Sequence, residues 1–381
     1  MKAVVWHGRE DVRVDEVQDP RIQEPTDAIV RITSTAICGS DLHLYSKLAP
    51  VMKEGDIIGH EPMGVVEEVG AEVSHISPGD RVVVLFNIAC GSCFMCERGL
   101  QSQCETTQNR ATRKGGSLFG YTHLYGAVPG GQAEYLRVPQ GHYGPIKVPE
   151  GPPDERFLYL SDVLPTAWQA VDYAQLNLGD TLAVWGLGPI GQMSSRIALH
   201  QGAKRVIGLD VIPERLQLAE RYGVETVNLR DAGNGVEAVE ELTQGRGADA
   251  VIDAVGMEAD GSLMDTVLST VKLQPDKLIA LHQSMGSVRR GGTLSISGVY
   301  AGVMHMFPLG DLFDKQITIR VGQANVRRWT PAILPLLVDD DPLGTEDLAT
   351  HKWPLTRAPE AYEMFQKKTD DVIKVVLKPG Q

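Results

Sequence analysis

Four of the five cysteines in this chain fall within one short segment, CGSCFMCERGLQSQC, as Cys90, Cys93, Cys96 and Cys104 in the pattern C-x2-C-x2-C-x7-C. Four thiolates this close in sequence can surround one tetrahedral cation and fill its coordination sphere, the arrangement of a structural zinc site. All-sulfur ligation selects zinc over hard cations, with an iron–sulfur cluster as the alternative. Two disulfides would use the same residues, but the chain opens on MKAVVWHGREDVRV without an apolar leader. Reduced thiols in a cytoplasmic protein are therefore expected. The fifth cysteine, Cys38, stands apart in the run ICGSDLH. It is free to serve a second metal with an open position, where chemistry can happen; a lone buried thiol is the plainer alternative.

A different chemistry is written into residues 181–191, TLAVWGLGPIG. Leu182 to Trp185 form a short apolar strand, and Gly186, Gly188 and Gly191 make G-x-G-x-x-G, with Pro189 and Ile190 before the last glycine. The first glycine permits a tight turn, the second lets a pyrophosphate approach the backbone, and the third allows close helix–strand packing. The helix that follows, near QMSSRIALHQG, points its N-terminal N–H groups at phosphate charge. A second buried strand, KRVIGLD, ends at Asp210, placed to accept the adenosine ribose hydroxyls and to repel a 2′-phosphate, which favours NAD over NADP. Arg215 lies over the adenine or ribose, or is an exposed helix residue.

The elements that must position these groups alternate between strand and helix. AERYGVETVNL is followed by a helical stretch near 233–244 and a strand in ADAVIDAVG. From Gly256 to Gly291 the chain runs further than a plain crossover needs before the strand of TLSISGVY. The excess is expected to hold extra structure that covers the adenosine or serves an oligomer contact. The 381 residues suffice for two domains, and 43% are apolar. Lys and Arg total 36 against 49 Asp and Glu, a net charge of −13, which argues against nucleic acid or an anionic membrane as partner. No apolar run approaches the roughly 20 residues that span a bilayer.

Three further segments, CGSDLH (38–43), GHEPMGVVEEVG (59–70) and SDVLPT (161–166), combine with the cysteine cluster and the glycine turn. Together, in this order, they resemble the zinc-dependent medium-chain dehydrogenases, the zinc alcohol dehydrogenase family. The resemblance spans essentially the whole chain. It implies a GroES-like β catalytic domain over 1–163 and 319–381, with the structural zinc lobe at 90–104, and an NAD-binding Rossmann domain with a doubly wound parallel α/β sheet over 164–318. It implies two zincs per subunit and hydride exchange between NAD and a small alcohol or hydrated aldehyde.

Carried onto this sequence, the resemblance makes Cys38, His60 and Asp162 the catalytic zinc ligands, Asp162 standing where many members have a second cysteine. Asp162 as a helix cap, with Glu61 as ligand in its place, is the alternative. Ser40 and His43 match a proton relay whose solvent-side end is His43; a surface histidine is the competing reading. Asp41 matches the carboxylate that orients His60, and Glu61 sits behind the metal. Thr166 and Val299 match nicotinamide contacts, and Phe86 a substrate-pocket aromatic or a core residue. Lys374 sits where a basic residue reaches the pyrophosphate, with a surface lysine as the alternative. The aspartate ligand and the long insertion resemble the glutathione-independent formaldehyde dehydrogenases and dismutases, although Ala167-Trp168 replaces a Gly-Tyr-like pair of that branch. A polyol dehydrogenase is a further option. A homodimer or homotetramer is implied, with the last Rossmann strand, near 293–310, pairing across subunits.

Overall fold

Apolar runs that are buried on both faces make the sheet that carries the glycine turn. In the computed structural model, which describes residues 1–256, 279–300 and 307–380, six strands lie parallel: β1 (Thr181–Trp185), β2 (Arg205–Asp210), β3 (Glu225–Asn228), β4 (Ala248–Asp253), β5 (Val288–Ile296) and β6 (Thr318–Val321). Their order across the sheet is β3-β2-β1-β4-β5-β6. Helices between successive strands make each parallel connection, and the central strands read as continuous apolar stretches because both faces are covered. From β1 the chain steps outward to β2 and β3, then returns to the other side with β4. The sheet therefore reverses direction between β1 and β4, where open α/β sheets bind ligands.

This sheet belongs to a unit that runs from Thr166 to Gln323. It extends past the expected boundary at 318 because β6 adds to the sheet edge in register with β5. The strand expected in TLSISGVY instead begins at Val288 and stops at Ile296, so it does not fill 293–310. The Gly291-Gly292 pair reads as a breaker in sequence, yet here it is absorbed as an irregularity. Gly291 takes a left-handed φ of 68°, and the register with β4 shifts between Ala248 and Ala250. Of the long 256–291 segment, residues 257–278 lie outside the described residues. Its later part forms a helix, Ile279–Ser287, whose Leu281 and Met285 join the core with Val239 and Trp185.

The other unit comprises Met1–Pro165 and Ala324–Gln381; the division falls inside the helix Val163–Ala174, two residues past the expected one. Its main sheet runs His351–Pro354, Val375–Lys378, Ala28–Ile37, Glu61–Val69, Arg81–Val83 and Ile146–Lys147, with Tyr135–Val138 also paired to Ala28–Ile37. A smaller sheet joins Asp11–Glu16, Lys2–Gly8 and Asp56–Ile57. The β-branched run AIVRITSTAI is buried along most of its length, as a central strand requires. Two registers decide where the chemistry-bearing residues meet: Ala36 opposes Glu61, and Ile37 opposes Val375. The residues that end or begin these three strands (Cys38, His60 with Glu61, and Lys374) are thereby brought to one place. Among the described residues, no helix is long and apolar enough to cross a membrane.

Candidate functional site

At that meeting of strand ends, Cys38, His60, Glu61 and Asp162 each offer a ligand atom within 4.8 Å of the others. Cys38 leaves the strand Ala28–Ile37 and caps the helix Gly39–Ser46, its N–H donating to Asp41 Oδ2 at 2.9 Å. Asp162 comes from the break between the turn Leu158–Ser161 and the helix Val163–Ala174. That break is held in place by the Phe86 N–H, which donates to the Ser161 carbonyl. Asp162 Oδ2 lies 3.6 Å from Cys38 Sγ and 3.4 Å from His60 Nε2. Asp41 Oδ1 stands 2.9 Å from His60 Nδ1 and is fully buried, so Nδ1 faces a carboxylate and Nε2 faces the site. Fixing the imidazole through its far nitrogen is how metal-ligating histidines are oriented. Ser40 Oγ is 3.2 Å from Nε2.

The charges here are set by burial. Burial pushes the Cys38 thiol up, with Glu61 and Asp162 adding to it, and raises the Glu61 carboxyl against the pull of Lys374. Burial alone would depress His60, but Asp41 and Asp162 hold it well above its ordinary value. One thiol, one imidazole and three acids against a single lysine is a surplus of negative donors that a divalent cation would neutralise. Glu61 Oε2 is buried with no hydrogen-bond partner. The donor set of sulfur, nitrogen and carboxylate oxygen suits zinc.

Two expectations are corrected here. Lys374 is neither a surface residue nor presented to a pyrophosphate: it is wholly buried, and its Nζ lies 2.5 Å from Glu61 Oε1. The strand pairing of Val375 with Ile37 draws it inward. His43 is buried rather than at a solvent-facing end, because the helix Gly39–Ser46 buries every residue from Asp41 to Ser46. Three neighbours of the site escape sequence reasoning. Gln132 is fully buried, donates from Nε2 to Asp41 Oδ2 at 3.3 Å and accepts from Tyr362 OH at 2.8 Å. It packs so tightly that a side chain at Gly59 would meet its Cγ at 2.3 Å. The rings of Phe86 and Tyr121 stand edge-on to His60, centroids 6.1 and 6.4 Å away. The double glycine before Gln132 is the only sequence signal that Gln132, Tyr121 and Tyr362 carry among them.

Cys90, Cys93, Cys96 and Cys104 form the second convergent group, unlinked by disulfides. Their sulfurs accept hydrogen bonds from nearby groups: Cys104 from the Cys90 N–H at 3.4 Å, Cys93 from the Glu105 N–H at 3.3 Å, and Cys90 from Thr106 Oγ1 at 3.1 Å. Burial alone would push the Cys90 thiol up, but Thr106 and the groups of Ser92 and Cys93 bring it down to about 6. Burial and the neighbouring Cys93 thiol push Cys96 the other way, and four sulfurs converging from one loop fit a closed tetrahedral cation.

At the sheet's reversal, Gly186 takes φ 86° and a Cβ on Gly191 would sit 1.8 Å from the Gly186 carbonyl oxygen. Among the described residues, a Cβ on Gly188 would meet only Arg215 Nη1, at 3.8 Å, which is the open backbone that a pyrophosphate can approach. Pro189 and Ile190 begin the helix Pro189–His200. Asp210 ends β2, and its Oδ2 accepts the Leu187 N–H at 2.7 Å while Oδ1 accepts those of Val211 and Ile212. Arg215 Nη1 lies 3.7 Å from Asp210 Oδ2. Gln192, not anticipated, donates to the carbonyls of Leu187 and Arg215. Thr166 lies in the helix Val163–Ala174 and Val299 is exposed beyond β5.

Residues 24–150 match the family model described as alcohol dehydrogenase GroES-like domain, and residues 189–275 that described as zinc-binding dehydrogenase. The zinc-type alcohol dehydrogenase-like protein AdhB of Bacillus subtilis (strain 168) is 45% identical over 382 residues, 100% of both chains. Formaldehyde dismutase of Pseudomonas putida is 31% identical over 391 residues, 96% of this chain and 95% of its own. Among solved structures, alcohol dehydrogenase TADH from Thermus sp. ATN1 matches with a TM-score of 0.85 at 37% identity over 100% of both chains.

Proposed function

This chain belongs to the zinc-dependent alcohol dehydrogenase family, and on that premise we propose that it exchanges hydride between NAD and a small alcohol or hydrated aldehyde, at a zinc held by Cys38, His60 and Asp162. The observation that carries the reading is the buried convergence of thiol, imidazole and carboxylates within 4.8 Å. Bound there, zinc would supply Lewis acidity that lowers the pKa of a substrate hydroxyl, and NAD would accept the hydride.

The chain's own residues do the rest. Asp41 fixes the His60 ring so that Nε2 points into the site. Ser40 Oγ stands where it can accept the substrate's hydroxyl proton and release its own toward His43, farther along the same helix. Glu61, tethered by Lys374, stays behind the ligand set. An aspartate as third ligand keeps the charge of a thiolate but donates less electron density, which sharpens the acidity of the metal. Phe86 and Tyr121 wall the site with their ring edges. The four-cysteine lobe takes a second, structural zinc. On the glycine turn, Asp210 and Arg215 meet the adenosine half, and Thr166 and Val299 the nicotinamide half. A cytoplasmic homodimer or homotetramer acting on small molecules is the setting this implies.

The likeness to formaldehyde dismutase favours a second reading, in which NAD stays bound and is recycled between two aldehydes. One experiment separates the two readings. Protein purified without added cofactor is denatured, and the zinc and NAD(H) released per subunit are counted. In parallel, short alcohols and formaldehyde are assayed with and without NAD⁺. Two zincs, no nucleotide and a strict need for NAD⁺ establish the dehydrogenase. Nearly one NAD per subunit, with aldehyde consumed unaided, establishes the dismutase. Protein that binds zinc only at the cysteine lobe and turns over neither substrate refutes both.

A further inference from the structure

Asp253, the last residue of β4, is wholly buried and gathers four donors. Its carbonyl oxygen accepts the N–H groups of Ser297 and Gly298, each at 2.9 Å. Its Oδ1 accepts the Val255 N–H at 3.0 Å, and its Oδ2 accepts the Tyr300 hydroxyl at 2.6 Å. Burial raises the Tyr300 phenol far above its usual range, and Asp253 adds to it, so Tyr300 remains a donor at any working pH. Asp253 thus meets the neighbouring 297–300 turn at three points, two through its carbonyl and one, the Tyr300 hydroxyl, through its carboxyl group, and a buried residue bonded in this way holds that turn in a single place.

The turn it holds, residues 297–300, packs glycine to glycine. A Cβ on Gly298 would lie 2.4 Å from the Gly256 nitrogen, and one on Gly256 would lie 2.7 Å from the Val299 nitrogen. The 253–256 turn in turn abuts the glycine-rich loop. Ala254 N–H donates to the Trp185 carbonyl at 2.8 Å, and a Cβ on Gly186 would lie 2.8 Å from Val255 Cγ2. Three strand-end turns are thus joined edge to edge across the reversal of the sheet. Asp210 marks one side of that reversal, and 297–300 lies on the other. A dinucleotide laid over the glycine turn with its adenosine half toward Asp210 must run its other half toward the ends of β4 and β5.

We propose that Asp253 and Tyr300 form a latch that fixes the 297–300 backbone, exposed Val299 included, and that this latch determines how tightly the nicotinamide half of the dinucleotide is held. The proposal rests on the NAD reading above. Both are positioning residues, since neither touches the reacting atoms. A merely structural pair would weaken the whole nucleotide site alike; a latch on one side of the reversal weakens one half of the ligand.

The test uses the full chain and two probes, NAD⁺ and ADP-ribose, which lacks nicotinamide, with affinities measured by calorimetry. Tyr300→Phe removes one buried hydrogen bond and should weaken NAD⁺ about tenfold, while ADP-ribose binding stays within about twofold. Asp253→Asn keeps an acceptor at the same place and should fall between wild type and Tyr300→Phe. Should that second variant fail to fold, Tyr300→Phe still decides. Equal weakening of both probes, or NAD⁺ bound as tightly as by wild type, overturns the latch. A wild-type chain, first freed of any retained nucleotide, that binds neither probe overturns the dinucleotide reading and the latch with it, so the two failures are told apart.

Discussion

In the 90–104 lobe all four donors are sulfurs from one short stretch of chain. In the Cys38 cluster the four come from three separate stretches, and only one of them is sulfur. The lobe surrounds its thiols with N–H and O–H groups from adjacent residues, and every donor is the same. The other cluster packs a second layer of acidic and basic side chains behind the donors: Asp41 on His60, and Lys374 on Glu61. A closed, uniform, local set suits a cation that only holds chain together. A mixed set assembled by tertiary pairing leaves a position open and lets neighbouring charges tune what binds there.

The sharpest way to break that contrast is to remove one donor from each group. Asp162→Ala is expected to lose one zinc per subunit and about 10³-fold or more in turnover, with thermal stability little changed. Retained activity would hand the ligand role to Glu61, whose partnerless Oε2 stands ready. Cys93→Ser is expected to do the converse. It should lose the other zinc and lower the melting temperature by about 5–10 °C, with residual activity while folded. Zinc content, scanning calorimetry and initial rates, measured on both variants, settle whether the two roles separate. A Cys93→Ser protein as stable as wild type would end the structural reading of the lobe.

The next effect probes the second layer behind the Cys38 cluster. Lys374→Met strips the compensating charge from a carboxyl that is itself wholly buried. It should cost about 3–5 kcal/mol in urea denaturation, because the carboxylate is left uncompensated. Adding Glu61→Gln should restore much of that loss, since the remaining group no longer carries a charge. If the double variant is as unstable as Lys374→Met alone, the pair contributes nothing as a pair, and Lys374 matters only for its packing.

The cysteine cluster at 90–104 and the glycine turn were legible in sequence because their geometry is local: spacing within one loop sets where the atoms lie, whereas the grouping of Cys38, His60 and Asp162, drawn from three stretches, came from the family resemblance. So too was the fold, an α/β Rossmann sheet with a GroES-like β unit, carried by motifs that span the chain. Lys374 was not legible, because its meeting with Glu61 depends on two strand registers, Ala36 opposite Glu61 and Ile37 opposite Val375. Gln132, Tyr121 and Tyr362 reach the site from distant loops and a helix with no spacing to announce them. The start of β5 was hidden by Gly291-Gly292, which a sequence reads as a break and the sheet uses as an irregularity. Positions fixed by local spacing can be read directly; those fixed by register wait for the fold.

The smallest effect tests how the tertiary cluster is braced, and so whether it differs from the lobe in what supports it. Asp154 ties the segment leading to Asp162 onto the strand leading to Cys38. Its Oδ2 accepts from Thr33 Oγ1 at 2.6 Å and Ser34 Oγ at 2.5 Å, while Oδ1 takes Arg81 Nη2 at 2.6 Å. Burial would raise this carboxyl, but Ser34, Thr33 and Arg81 hold it below its ordinary value of 3.8. A depressed carboxyl contributes stability that is full above that ordinary value and is lost as pH falls through the folded one. Asp154→Asn should therefore cost about 1–2 kcal/mol at neutral pH, and the gap to wild type should begin to close only below about pH 3.8. It should slow turnover a few-fold while leaving the cysteine-lobe zinc in place. A gap that stays constant down to pH 2 would mean that the hydroxyl contacts alone brace the segment, and that the Asp154 charge plays no part in bringing Asp162 to Cys38.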